Sequence, residues 1–204
     1  MSVTSESAPS SPSLDPQARR ARLIEIIREK SLSTGADITL ASGKTSKFYF
    51  NTKPTMLDPE GAALIADLML ARLETEPVDY VGGLEMGAVP LAACLAQASH
   101  GTARPLPAFF VRKKAKEHGA KLKIEGLPPG ATLEGKHVVV LEDVTTTGGS
   151  SLQAVEQVRA EGGSVAIIIT IVDRLEGAAE MLAGQGITLV PLLTADDFEV
   201  SADA

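Results

Sequence analysis

The feature that most constrains the fold is a set of five short apolar segments rich in β-branched residues. They begin near residues 78, 107, 137, 164 and 187 and read VDYVGG, PAFFVRK, HVVVLED, SVAIIITIVD and ITLVPLL. Their hydrophobicity is nearly continuous rather than alternating, which is typical of strands covered on both faces. Helical patterns begin near residues 87, 151 and 177, between several of these segments. The alternation predicts an α/β fold with a central parallel five-stranded sheet flanked by helices.

The part of the chain before these segments predicts a small accessory unit. Helical patterns begin at Pro16 and Pro59, and proline suits a first helical turn. Between them, ITLASGKTSKFYFNTK predicts an extended hairpin, part of an N-terminal hood over one end of the sheet, at about residues 18–58. Residues 1–17 contain mainly Ser, Pro and other polar residues, so we expect a disordered tail followed by a single domain over 18–204.

Composition limits the classes of protein that are possible. The 204 residues are 44% hydrophobic, which suits one soluble domain, and the net charge of -7 argues against binding to nucleic acid or to an anionic membrane. No apolar run approaches the roughly 20 residues of a membrane span, and the opening residues do not resemble a signal peptide. Cys94 is the single cysteine, so no disulfide can form within the chain, and we expect a cytoplasmic protein.

The segment VVVLEDVTTTGGSS, residues 138–151, predicts a ligand site. We expect its strand to end with Glu142 and Asp143 and a helix to begin near Ser150 or Ser151. Main-chain amides at a helix N-terminus favour a phosphate, whereas paired carboxylates suit sugar hydroxyls or a metal. Helix capping, the simpler explanation, needs only one of the five hydroxyls present. The segment therefore predicts a ribose 5-phosphate ligand, contacted by the loop residues Thr145, Thr146, Thr147, Gly148, Gly149 and Ser150.

The same segment resembles the signature for 5-phosphoribosyl 1-diphosphate (PRPP) in the type I phosphoribosyltransferase family. That resemblance implies the type I phosphoribosyltransferase fold. It also implies that Glu142 and Asp143 hold the ribose hydroxyls, and that the residues from Val144 to Ser150 hold the 5-phosphate. Mg²⁺ is the implied cofactor, bound mainly by PRPP and water rather than by protein ligands.

The segment FFVRKKAKEHGAKLKIEG is similar to the mobile loop of orotate phosphoribosyltransferases. Its cationic groups suit a leaving diphosphate, whose negative charge grows in the transition state. The resemblance implies PRPP contacts for Arg112, Lys113, Lys116 and His118, with the last three as catalytic residues. It also implies a homodimer in which the loop over 112–126 reaches the neighbouring subunit's site. A solvated basic loop is the alternative.

Two further segments suggest a site for the base. LASGKTSKFYFN resembles the N-terminal segment of orotate phosphoribosyltransferases, which implies that Tyr49 and Phe50 flank orotate; hood packing is the alternative. Arg174 follows the fourth strand, and a guanidinium can bind a carboxylate through two parallel hydrogen bonds. The resemblance implies orotate contacts for Arg174 and Thr146. A surface ion pair of Arg174 with a neighbouring acid is the alternative.

The chain departs from the family pattern at two positions. Ala41 stands where many members have a phosphate-contacting lysine, and Lys44 is a candidate replacement. The turn VGGLEMGAVPLA resembles the diphosphate-binding turn, yet it has Met86 where some members carry lysine. Glu85 in this turn either faces a metal through water or is solvated. The backbone donors remain available at Gly82, Gly83 and Gly87.

The resemblance extends over about residues 20–195 and implies an orotate phosphoribosyltransferase. Such an enzyme converts orotate and PRPP into orotidine 5-phosphate and diphosphate in de novo pyrimidine (UMP) biosynthesis. Two alternatives stay open: a phosphoribosyltransferase for a purine or uracil, and a PRPP-sensing regulatory protein. The latter should carry a basic face for nucleic acid, which the acidic composition does not favour.

Overall fold

The computed structural model describes residues 15–39, 45–114 and 123–200. The strands are β1 (Leu32–Thr39), β2 (Thr45–Phe50), β3 (Tyr80–Leu84), β4 (Ala108–Val111), β5 (Ile124–Glu125), β6 (His137–Thr145), β7 (Ser164–Asp173) and β8 (Thr188–Thr194). The helices are α1 (Pro16–Lys30), α2 (Lys53–Met56), α3 (Pro59–Leu73), α4 (Ala88–Ser99), α5 (Gly149–Ala160) and α6 (Ala178–Ala183), and a 3-10 turn covers Ala195–Phe198.

The central sheet has the strand order β5-β4-β3-β6-β7-β8. Its five main strands are mutually parallel, which confirms the predicted parallel sheet. β5 adds a short antiparallel edge next to β4, which the sequence did not predict because two residues carry no periodicity. The carboxyl ends of the parallel strands therefore lie along one edge, where ligands bind in open sheets of this kind.

Both faces of the sheet are covered, which explains why the strands lack alternation. Val139 and Leu141 of β6 belong to the core that includes residues of α1, α3 and α4. Val138 and Val140 of the same strand belong to the core that includes residues of α5 and α6. Because successive side chains point to opposite faces, a strand between two helical layers is apolar at every position.

The region predicted as the N-terminal hood contains α1, β1, β2 and α2. β1 and β2 pair as an antiparallel ladder, which confirms the hairpin, although β1 begins at Leu32, six residues before the predicted extended segment. α1 begins at Pro16, where the Asp15 side chain accepts from the amide of Gln17 at 3.0 Å. Pro16 and Gln17, which the predicted tail includes, therefore belong to α1, and residues 1–14 lie outside the described part of the chain.

Hydrogen bonds join the hood to the strand ends. The Thr52 hydroxyl, between β2 and α2, donates to Asp143 of β6. The guanidinium of Arg174, directly after β7, donates to Ser46 of β2. These contacts place the hood beside the carboxyl ends of β6 and β7, so the space between them becomes a cleft.

Candidate active site

A cavity of about 410 Å³ opens at the carboxyl ends of β3 and β6. The turn after β3, the end of β6 and the first turn of α5 form its walls, and the start of α2 closes it on the hood side. Its charged lining consists of three acids and two lysines: Glu85, Glu142, Asp143, Lys53 and Lys113. The carboxylate pair and the loop predicted to bind the ligand thus meet in one cleft.

The acid pair lies within β6 and not at its end. β6 continues to Thr145, pairing Glu142 with Thr170 and Thr145 with Asp173 of β7, so the predicted end of the strand at Asp143 is two residues too early. The cause is the long parallel neighbour β7, whose backbone hydrogen bonds keep the chain extended. Thr145 is a strand residue with a buried side chain, and its backbone carbonyl accepts from the Arg174 amide at 2.9 Å.

Each acid is held by a hydroxyl from a different element. The Ser151 hydroxyl of α5 donates to Glu142 Oε2 at 2.8 Å, and both side chains are buried. The Thr52 hydroxyl donates to Asp143 Oδ2 at 3.2 Å. These bonds fix the two carboxylates, which leaves their remaining oxygen lone pairs for a ligand.

Glu142 is only 6% exposed, and this burial raises the pKa of its carboxyl above the ordinary value of 4.5. The charge of Asp143 raises this pKa further, whereas the hydrogen bond from Ser151 lowers it in part. An ionised carboxylate in such a place needs partners that favour the charged form, such as hydroxyl donors or a cation. The electrostatics of Glu142 therefore favour a ligand that brings those groups.

The loop after β6 leaves its amides open to a ligand. Gly148 adopts a left-handed conformation with φ of 83° before α5, and a Cβ there would lie 2.6 Å from Met181 Cε. In the described ranges no side chain caps the first turn of α5, so helix capping does not explain the hydroxyls. Thr147, Gly149 and Ser150 are exposed, as an anion contact requires, and Thr146 is partly exposed.

The predicted basic loop is only partly described. Lys113 is exposed and lines the cavity of its own chain, and its backbone amide donates to Glu85 Oε1 at 2.8 Å. Arg112 instead forms an ion pair with Glu125 of β5 at 2.9 Å. Lys116 and His118 lie in residues 115–122, outside the described ranges, as do Ala41 and Lys44 of the hood. Lys113 is therefore the predicted loop residue that the structure brings to the cavity.

Arg174 is 3% exposed and lies between the hood and the strand ends. Its Nη2 donates to Ser46 Oγ at 3.0 Å, and its guanidinium lies 4.3 Å from the centroid of the Phe48 ring. Its Nε is 2.8 Å from Glu176 Oε1, so the ion pair considered as an alternative is present. The guanidinium is nevertheless buried, which a surface ion pair would not require.

The predicted aromatic pair is split between solvent and core. Tyr49 is 40% exposed, whereas Phe50 is 3% exposed and packs edge-on against Phe48 and Phe198. The cause is strand alternation, because neighbouring residues of β2 point to opposite sides. The burial of Phe50 does not support its predicted place beside a base. Phe48, which the prediction omitted, is the ring that contacts Arg174.

Sequence reasoning missed several polar residues that hold the site together. Ser151 was predicted as a hydroxyl donor at the start of the helix, but not as the partner of Glu142. Ser46 and Thr52 precede their partners by 128 and 91 residues, so no local pattern connects them. Their roles depend on how the hood docks.

A match to a family model gives the class of enzymes to which the chain belongs. Residues 55–188 match the family model for the phosphoribosyl transferase domain. The chain therefore belongs to the phosphoribosyltransferases.

Individual relatives show to which phosphoribosyltransferase family the chain belongs. The orotate phosphoribosyltransferase of Bradyrhizobium diazoefficiens is 58% identical over 181 residues, which cover 89% of this chain and 96% of the relative. The orotate phosphoribosyltransferase of Mycobacterium tuberculosis H37Rv has been solved with Fe(III) dicitrate (TM-score 0.76, 37% identity) and with PRPP (TM-score 0.72, 35% identity). Each match covers 89% of this chain and 99% of the solved one. The chain belongs to the orotate phosphoribosyltransferase family.

The buried Glu142 generates a prediction about stability. The folded protein retains the proton of Glu142 at pH values where the unfolded chain has lost it, so rising pH lowers the free energy of unfolding. We expect Glu142→Gln to raise this free energy by about 1–3 kcal/mol near pH 7, since each pKa unit corresponds to about 1.4 kcal/mol. The gain should disappear below pH 4.5, the ordinary pKa of the side chain.

The free energy of unfolding of the wild type and of Glu142→Gln, measured in urea from below pH 4.5 to pH 7, tests the expectation. Glu156→Gln, which removes the same charge from an exposed position of α5, is the matched control and should change little. A destabilised Glu142→Gln protein at pH 7 would contradict the proposed burial cost.

Proposed function

We propose that the protein transfers the ribosyl 5-phosphate group of PRPP to N1 of orotate, giving orotidine 5-phosphate and diphosphate in de novo pyrimidine biosynthesis. The observation that carries this proposal is the convergence of the acid pair Glu142 and Asp143, the uncapped start of α5 and Lys113 on one cavity. The relatives named orotate phosphoribosyltransferase, at 58% identity over most of the chain, support the same activity.

Different residues of the cavity bind different parts of PRPP. Glu142 and Asp143 accept hydrogen bonds from the ribose hydroxyls, while the amides of residues 145–150 and the hydroxyls of Thr146, Thr147 and Ser150 bind the 5-phosphate. When the bond from C1 to diphosphate breaks, the ribose becomes oxocarbenium-like and negative charge grows on the leaving group. Lys113, at the start of the predicted loop, stabilises that charge in the cavity of its own chain, and Lys116 and His118 do so in the site that the loop reaches. N1 of orotate attacks C1 from the opposite face, and no covalent intermediate with the protein is needed.

Mg²⁺ is the proposed cofactor, and the lining of the cavity fits it. Glu85, Glu142 and Asp143 offer the hard oxygen ligands that this ion prefers. In residues 15–39, 45–114 and 123–200, no group of three or more acidic, histidine or cysteine side chains is placed to hold a metal by itself. We therefore propose that these carboxylates assist an ion that PRPP and water mainly coordinate. Bound there, Mg²⁺ would neutralise diphosphate charge.

Arg174 is the proposed recognition group for the orotate carboxylate. This carboxylate distinguishes orotate from uracil, and a guanidinium beside the hood is suited to bind it. Thr146, at the same strand ends, and the partly exposed Tyr49 are proposed to contact the base. A purine or uracil acceptor has no carboxylate for Arg174 to bind, and the acidic composition does not favour a regulatory protein that binds nucleic acid.

A direct assay tests the proposed activity. The purified protein is mixed with orotate, PRPP and Mg²⁺, and the ultraviolet absorbance of orotate is followed. We expect orotate to be consumed and diphosphate to appear in equal amounts. Persistence of orotate while adenine, hypoxanthine or uracil is consumed would assign the protein to another acceptor.

Substitution of Arg174 tests base recognition. Arg174→Lys keeps the charge but loses the planar pair of donors, so the KM for orotate should rise about tenfold or more while the KM for PRPP stays nearly unchanged. Steady-state kinetics with each substrate varied in turn measure both. Arg72→Lys, at an exposed position of α3, is the matched control. Equal losses for both substrates would argue against a carboxylate-binding role.

We also propose the homodimer that the family resemblance implies, with the loop over 112–126 completing the neighbouring site. Mixing Lys116→Ala and Asp143→Asn proteins under conditions of subunit exchange should restore about a quarter of the wild-type activity, because a hybrid dimer contains one intact site. Activity of co-refolded mixtures, compared with each parent refolded alone, measures this. A mixture no more active than its parents would place the loop in its own subunit's site.

We propose a cytoplasmic location, on the basis of the single cysteine. Within the part of the chain that the structure describes, no helix combines the length and hydrophobicity that a membrane crossing requires.

A further inference from the structure

The charge balance of the cavity leaves little positive charge for a diphosphate. Its lining includes three carboxylates but only two lysines, Lys53 and Lys113. The turn after β3, which resembles a diphosphate-binding turn, contributes Leu84, Glu85, Met86 and Gly87 and therefore no cation. Binding of an anionic leaving group must then depend strongly on each lysine that faces the cavity.

Within the described ranges, the Lys53 side chain has no ionic or hydrogen-bonded side-chain partner that would compete with a ligand. It is also exposed. The other lysine in the lining, Lys113, belongs to the basic loop, whereas Lys53 is the first residue of α2 and comes from the hood.

The position of Lys53 is fixed by its neighbour. Thr52 is buried, and its hydroxyl donates to Asp143 Oδ2 at 3.2 Å. On the turn after β3, Gly87 packs so closely against the Asp143 carboxylate that a Cβ there would collide with it. Asp143 thus lies between the hood and the turn, and Lys53 is attached to the hood side of this contact. A charge placed by a buried anchor loses less conformational freedom on binding than one on a free loop.

We propose that Lys53 is a diphosphate-binding residue of the donor site, supplying from the hood the cation that the turn with Met86 does not provide. The inference rests on the proposed function and adds a residue to its donor site. Loss of one hydrogen bond to a charged group corresponds to about a 10- to 100-fold change in affinity.

Titration calorimetry with inorganic diphosphate and with PRPP, each in the presence of Mg²⁺, tests the proposal. Lys53→Met removes the charge at similar length, Lys53→Arg retains it, and Lys136→Met removes a charge near the opposite end of β6. We expect Lys53→Met to weaken diphosphate binding about 10- to 100-fold, and the other two variants to bind nearly as the wild type does. The KM of the Lys53→Met protein for orotate and its thermal unfolding midpoint should not change.

The outcomes separate this inference from the proposed function. Unchanged diphosphate affinity in Lys53→Met overturns the role of Lys53, even if the wild type consumes orotate. An equal loss in Lys53→Met and Lys136→Met also overturns it, because the effect would then be a general one of net charge. Weakened binding in Lys53→Met alone supports it, even if the wild type proves to use a different base.

Discussion

The placement of two adjacent carboxylates, one of them buried, inside a parallel strand is the constraint on which the site depends. Glu142 and Asp143 occupy consecutive positions of β6, so they face opposite sides of the sheet, and each requires a donor on its own side. α5 supplies Ser151 on one side and the hood supplies Thr52 on the other. The helix after β6 and the N-terminal unit therefore both have to dock correctly before the pair is held. Burial of the Glu142 charge costs free energy, which its donor and a bound ligand offset.

The parts of the fold that could be predicted are those with a strong local signal. The five parallel strands were visible as continuous apolar runs, because each has a helical layer on both faces. The hood hairpin was visible from extended residues between two proline-led helices. β5 and α2 were not predicted, since elements of two and four residues have too few positions to show a period. The end of β6 was predicted two residues too early, because pairing with β7 extends this strand to Thr145.

The same division applies to the site. The signature around residues 142–150 was predictable because the acids, the hydroxyls and the glycines are adjacent in the chain. The partners of Arg174 were not, since Ser46 and Phe48 come from the hood. Strand alternation separated Tyr49 from Phe50, a consequence of β2 geometry that a resemblance between short segments does not contain. Contacts that cross from the hood to the sheet are thus the part of the site that only a three-dimensional structure reveals.

The placement of Ser46 and Thr52 also limits how the two parts of the chain can vary. Each contacts a strand-end side chain, so the energetic effects of exchanging hood and strand-end residues are coupled and do not add. A chimera that combined this sheet with the hood of a distant homologue would have to carry matching donors at both positions. To transfer the preference for a particular base between members of the family, the hood and the strand ends therefore have to be exchanged together. Introducing an arginine after β7 alone is insufficient.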